Sequence, residues 1–457
     1  MIIPLSLVCA LALACLLLLA SPWPFLAPGA VLGLVGLLVI YRKPSWALLC
    51  IIALVPLEGL FKDSGVTGAK LLGASLMLIL PLQLALRQLP AERLRSNLWV
   101  PLLGFLALYL LSFIASEHHE LSLGHLRELL IGLIMFVITL LLGRDLNLAW
   151  FLRLVSLSVA LTCAMAMFSS AYQDQGRASG LLKDANLFAM MIAIAVPMAL
   201  LLLLKSPNAV QRLLWLGCSV LLLAGMTKTE SRSGLVVLLI SLGIGLYHYR
   251  LRLQRVRPRH LGFVMLALAL GLPLLVAVTP ASYIDRIASL SVLKSGVNAY
   301  ADDSLGRRAS YIVVGKKMIE DNPLLGTGPG TFPLHYANTG YSKAFASNSH
   351  KVIDLYRRAH NTYLELFSEV GIPGGLLFVS LIAMSLYNMA RARRACLQQE
   401  AWAHADVVTH LGMSVLAMAL FLMFLSVPNQ KYVWVLLAMS SVIRVEAERR
   451  LSVEARA

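Results

Sequence analysis

The sequence is poor in charge. Only 14% of its 457 residues are Asp, Glu, Lys or Arg, while 59% are hydrophobic and the mean hydropathy is +0.78. A soluble domain carries about 25% charged and about 45–50% apolar residues, so no soluble core could hide this much apolar surface and the bilayer must be the solvent. Informative cysteines are also lacking. Cys9, Cys15, Cys50, Cys163 and Cys218 lie inside apolar runs and Cys396 in a basic break, with no metal-ligand spacing and no pair placed for a disulfide. There is no HExxH and no His pair four residues apart, so the pattern contains no metal site. Internal repeats and low-complexity tracts are missing too. What the chain has in excess is positive charge, a net +16. It falls mostly in short breaks between apolar runs without interleaved aromatics, which fits membrane topology and argues against nucleic-acid binding.

Fourteen apolar stretches are candidates for spanning helices: 2–20, 25–41, 46–61, 69–86, 99–116, 126–142, 149–172, 185–204, 213–226, 234–249, 261–278, 364–390, 411–427 and 432–446. Several are short, so the expected count is 12–14. No Lys or Arg precedes Ile2–Ala20, and that run is long enough to span; it reads as a first helix rather than a cleaved signal. With the N-terminus inside, alternate breaks collect Arg42 and Lys43, Arg87, Arg93 and Arg95, Arg144, Lys205 and Arg212, Arg250 to Arg259, and Arg391 to Arg394, while the opposite short loops hold almost none. The fold expected is an all-α polytopic transmembrane helix bundle. Its helices 1–11 occupy 1–278, a large external loop 279–363, helices 12–14 residues 364–446, and a cytoplasmic tail 447–457. Within the loop, Asp303 or Ser304 can cap a helix ended by Pro323. Leu305, Ile312, Val313 and Ile319 give that helix an apolar face suited to lying along the membrane surface.

Three polar clusters fall on the external side. Gln175 to Asn186 contains Arg177, Lys183 and Asp184; Lys228 to Gly234 contains Glu230 and Arg232; Arg357 to Glu365 contains His360, Asn361 and Tyr363. Arg binds phosphate oxygens in a planar fork and stays charged at any working pH, and a helix N-terminus adds N–H groups and a positive dipole end. Asp184 and Asn186 can cap the helix that follows. Two Arg-bearing loops on one side make a diphosphate site, unless Arg177 and Arg232 merely pair with Asp174 and Glu230 or with lipid phosphates. His360 is the candidate base, titrating near neutral pH, although a single His at a helix end also serves structural roles. His118, His119, His125, His335 and His350 fall on the same side. The glycine-rich run Asn322 to Phe332 lacks the strand and helix of a nucleotide loop and reads as a tight turn where backbone approaches a ligand or a helix.

Together these pieces resemble the O-antigen ligase and polysaccharide polymerase superfamily. The matching segments are Arg177 to Asn186, Ser231 to Gly234, Asp303 to Arg308 with Asp321 to Gly330, and His360 to Leu364 with Glu369 to Gly374, in order around one large loop over roughly residues 170–380. The resemblance implies a bacterial inner-membrane enzyme with both termini cytoplasmic and its active site periplasmic. It would move a glycan from undecaprenyl diphosphate to a hydroxyl acceptor without metal, nucleotide or other cofactor. Arg177 and Arg232 would hold the diphosphate and His360 would activate the acceptor; Lys183, Asn186, Arg307, Arg308, Asn361 and Tyr363 are supporting candidates. Expected partners are the lipid-linked donor, a glycan or lipid A–core acceptor, membrane lipids and a chain-length regulator protein, with no nucleic acid. Asp302 to Leu305 and Pro323 to Gly328 incline the reading to a polymerase over a ligase. A lipid-linked glycan transporter is the competing class; it predicts ionisable residues deep in the helices, where this sequence has few.

Overall fold

The computed structural model describes residues 26–64, 67–174, 176–182, 184–253, 303–346 and 355–454, together with Leu13, Leu16, Leu19, Ala20, Thr279 and Tyr283. The expected helices at 2–20 and 261–278, Lys183, His350 and much of the 279–363 loop lie outside the described residues. Among those described, the fold is all-α, with one two-stranded hairpin, Gln173–Asp174 against Arg177–Ala178.

The helices are α1 (Leu26–Arg42), α2 (Pro44–Leu54), α3 (Gly68–Ala85), α4 (Trp99–Ala115), α5 (His119–Leu142), α6 (Leu148–Phe168), α7 (Ala185–Leu204), α8 (Ala209–Lys228), α9 (Arg232–Leu253), α10 (Asp303–Asp321), α11 (Phe332–Ala337), α12 (Gly340–Ala346), α13 (Thr362–Glu369), α14 (Gly371–Gln398), α15 (Trp402–Phe421) and α16 (Lys431–Glu454). Eight of them, α3, α5 to α9, α14 and α15, are long and apolar enough to cross a membrane, which makes this a multi-pass membrane protein. The apolar helix α4 is shorter. In α16 the apolar run ends at Arg444, and its residues Tyr432 to Met439 are buried on every side between α5 and α14. There the fully buried Trp434 ring lies so close to Gly132 that a Cβ would overlap it. A helix apolar all round is a core helix when protein surrounds it.

The second and third expected spans differ from the simple picture. Gly33–Arg42 and Pro44–Leu60 meet at 110°, so they form one broken span or a re-entrant loop. Pro44 begins the second arm and bars its continuation from the first, because its ring has no N–H to donate to the preceding turn. Counting the pair as one span would change the side of everything N-terminal to it and leave the chain from Gly68 onward unaltered.

The helix expected in the loop is present as α10, and the face it packs against protein lies beside the apolar face expected to meet the membrane surface. Tyr311, Val314, Gly315 and Met318 face inward, while Ile312 and Val313 are exposed. Spacing of three and four residues selects this stripe. The absent side chain of Gly315 lets Leu364 approach, so α10 packs on α13.

Candidate functional site

Two helix N-termini are joined at one end of the bundle. Asp184 caps α7, accepting from the N–H groups of Asn186 and Leu187 at 2.8 Å each. Ser231 caps α9, accepting from Gly234 N at 3.2 Å, and donates to Asn186 Oδ1 at 3.0 Å. Asn186 is therefore no cap but a bridge: the same oxygen lies 3.4 Å from an Nη of Arg177, whose Nε donates to Thr229 O at 2.9 Å. The hairpin turn aims Arg177 at this junction, and Arg232 occupies the first residue of α9. Both arginines are half-buried. Tyr283, from the long loop, donates to Ser231 O at 3.2 Å and is itself buried. Two positive dipole ends and the Arg177 guanidinium thus meet in one small region, with Arg232 opening the second helix.

The third cluster arrives from α13. His360 stands just before its capping residue, Asn361, which accepts from Leu364 N at 3.1 Å. Its backbone φ is +47°, a left-handed conformation that costs a non-glycine residue about 1–3 kcal/mol and survives only where neighbours over-determine it. They do so here. Buried Glu365 accepts from Ala359 N at 3.2 Å and from Arg358 at 2.5 Å. Thr362 N donates to Leu422 O at 2.8 Å, and the Thr362 hydroxyl donates to Leu425 O at 2.6 Å. The Tyr363 hydroxyl donates to Ala419 O at 2.9 Å, which gives Tyr363 a docking role.

The His360 ring stacks on Tyr311, with centroids 5.8 Å apart and planes inclined at 27°. Burial pushes its pKa below the usual value; the Asp184 carboxylate opposes that shift, and Arg308 and Arg357 reinforce it. His360 is therefore neutral at physiological pH, as a base must be. Asp184 and Arg308 both act on the His360 imidazole, so the first, third and loop clusters lie at one end. Arg308 also lies 6.0 Å from the Phe424 ring, while Arg307 contributes a positive field at Tyr311 and Tyr336.

The glycine-rich run has a structural task. Glu369 is buried and accepts from Gly330 N at 2.8 Å and Phe332 N at 3.0 Å; its backbone carbonyl accepts from Gly328 N at 3.0 Å and Ser112 Oγ at 2.7 Å. Gly326 and Gly371 have φ of +69° and +80°, and a Cβ at either would overlap the backbone of the other segment. The run thus approaches a helix end, and its two bonds to Glu369 hold Phe332 in the aromatic group with Tyr311 on which His360 rests.

Sequence reasoning singled out Arg177, Arg232 and His360 but missed Tyr311, Thr229 and the influence of the Asp184 carboxylate on His360. Those partners come from distant segments and have no local pattern. Glu369 carried a signal, an acid directly before Val-Gly-Ile-Pro-Gly, without an assigned task.

No curated protein matches the chain by sequence. Residues 217–379 match a family model described as O-antigen ligase. That interval runs from α8 through the first turns of α14 and takes in Arg232, the whole loop, His360 and Glu369. Residues 217–379 thus carry the likeness to the O-antigen ligase family, within the stretch over which the sequence resembles the O-antigen ligase and polysaccharide polymerase superfamily.

Proposed function

We propose that the protein is a membrane glycosyltransferase moving a glycan from undecaprenyl diphosphate to a hydroxyl acceptor at the periplasmic face of the bacterial inner membrane. The observation that carries this reading is the meeting of Arg177, Asn186 and the capped ends of α7 and α9 with a half-buried, neutral His360. As the glycosidic bond breaks, charge gathers on the leaving diphosphate. Guanidinium groups and helix ends held in place by Asn186 and Thr229 O stabilise that charge more in the transition state than in the ground state. The acceptor hydroxyl passes its proton to His360 as it attacks. One displacement inverts the anomeric carbon, so a product of retained configuration would contradict this mechanism. No metal is given a part in it.

The acceptor divides the family. We favour a polysaccharide polymerase, in which a second lipid-linked glycan supplies the hydroxyl. An O-antigen ligase, with lipid A–core as acceptor, is the second reading, favoured by the description of the matched domain. Reconstitution with the lipid-linked glycan tests both. Wild type should transfer and His360→Ala should lose about 10²-fold or more. A ladder of products marks a polymerase, and a single shift of lipid A–core marks a ligase. Full activity in His360→Ala would remove the base from the mechanism. Failure of wild type with every acceptor would favour the transporter.

A further inference from the structure

At the end of the bundle remote from His360, the helices part around a cavity of about 1190 Å³. Its rim carries Arg93, Arg95, Arg144, Arg449 and Arg450 against the carboxylates of Glu92, Asp145 and Glu446, an excess of two positive charges. Arg93 is committed to Asp145 and to Leu141 O, and Arg450 to Glu446 and His404. Arg144 is half-buried, Arg95 is exposed, and neither forms an ion pair among the described residues. Below the rim the wall is aliphatic, made by Val407 and Val408 of α15 and Met439, Val442 and Ile443 of α16.

We propose that this cavity binds an anionic phospholipid, its phosphate on Arg144 and Arg95 and its upper acyl chains against Val408, Met439 and Val442. Basic pockets between membrane helices take lipid headgroups of this kind. The alternative anion, a nucleotide, finds no Phe, Tyr or Trp among the lining residues on which to stack. A soluble anion makes no use of the apolar wall. Ordinary surface anchoring explains arginines that point to bulk headgroups, but not arginines that line one cavity together with an aliphatic wall.

The test uses the purified full-length chain in detergent, titrated with phosphatidylglycerol or phosphatidylcholine of matched acyl chains. Bound lipid is read by native mass spectrometry and stability by thermal unfolding. The expected result is selective retention of phosphatidylglycerol, weakened about fivefold by Arg144→Gln and further by adding Arg95→Gln. Arg144→Lys should stay near wild type, and unfolding in phosphatidylcholine should be the same for all variants, which separates lost binding from lost folding. Arg87→Gln, at an exposed arginine outside the cavity, should have no effect. Equal retention of both lipids overturns the proposal. So does an equal loss in Arg87→Gln, which would indicate surface attraction alone, or an equal thermal shift from inorganic phosphate, which would indicate a soluble anion.

Discussion

His360 combines partial burial, a left-handed backbone and a stacked partner, and each has a measurable consequence. Its lowered pKa places the acid limb of the transfer rate below pH 6.5, with a plateau above it, since only neutral imidazole accepts a proton. The stability linkage has the same sign. The unfolded chain binds the proton more readily, so stability falls as pH drops from 6.5 through the folded value. An acid limb above pH 6.5 in a rate–pH profile would contradict the environment described. The strained φ separates two inactive variants: His360→Gly should unfold about 1 kcal/mol less readily than His360→Ala, because only glycine adopts φ of +47° without penalty. Asn186 offers a second test. Asn186→Asp sets a carboxylate against Arg177 in competition with the donor diphosphate, so donor KM should rise about tenfold while kcat changes less. Residue type and position at a helix mouth made His360 and Arg177 legible in the sequence. Asp184 was legible as a helix cap but not as a neighbour of His360, and Tyr311 was not legible at all, because such roles come from partners in other segments.

At the scale of elements, the 326–332 turn and the α13–α14 junction are fastened to each other. The glycine pattern was readable as close backbone approach, but whether it met a ligand or a helix required the fold. α10 shows a similar limit: its existence followed from its caps and Pro323, while its inward face followed from Gly315 and Leu364. Glu369 links the fastening to pH. Burial, and then the neighbouring Glu365 carboxylate, raise its pKa, opposed by the N–H groups of Gly330 and Phe332 and by Arg358. A raised carboxyl favours the folded state when protonated, and that contribution is lost as pH climbs through the folded value. Glu369→Gln keeps one acceptor oxygen and turns its NH₂ toward a backbone N–H, so it should cost about 1–3 kcal/mol near neutral pH. It should also flatten the decline of the unfolding temperature on the alkaline side. An alkaline decline as steep as that of wild type would assign the effect to another group.

For the whole molecule, the alternation of basic breaks anticipated which loops share an end. Lys205 reaches Ala403 O, Arg93 reaches Asp145, and Arg144 and Arg450 share a cavity. Arg177, Asn186 and Ser231 meet at the other end with His360. Charge bias made this sorting legible, because Lys and Arg resist translocation in short loops. The bend at Lys43–Pro44 was hidden, because hydropathy measures length and apolarity but not direction. Membrane sidedness can be read chemically. Lys343 on α12 and Glu400 between α14 and α15 are exposed, so each can be replaced by Cys, with wild type as background for the native thiols. In intact spheroplasts a membrane-impermeant maleimide should label Lys343→Cys, and Glu400→Cys should react only after the membrane is opened. The reverse pattern would turn the molecule over and set His360 among cytoplasmic nucleotides, where a periplasmic lipid-linked donor cannot reach it. Labelling of both in intact cells would break the alternation between α12 and α15 and return the span count to question, leaving the His360 geometry as it stands.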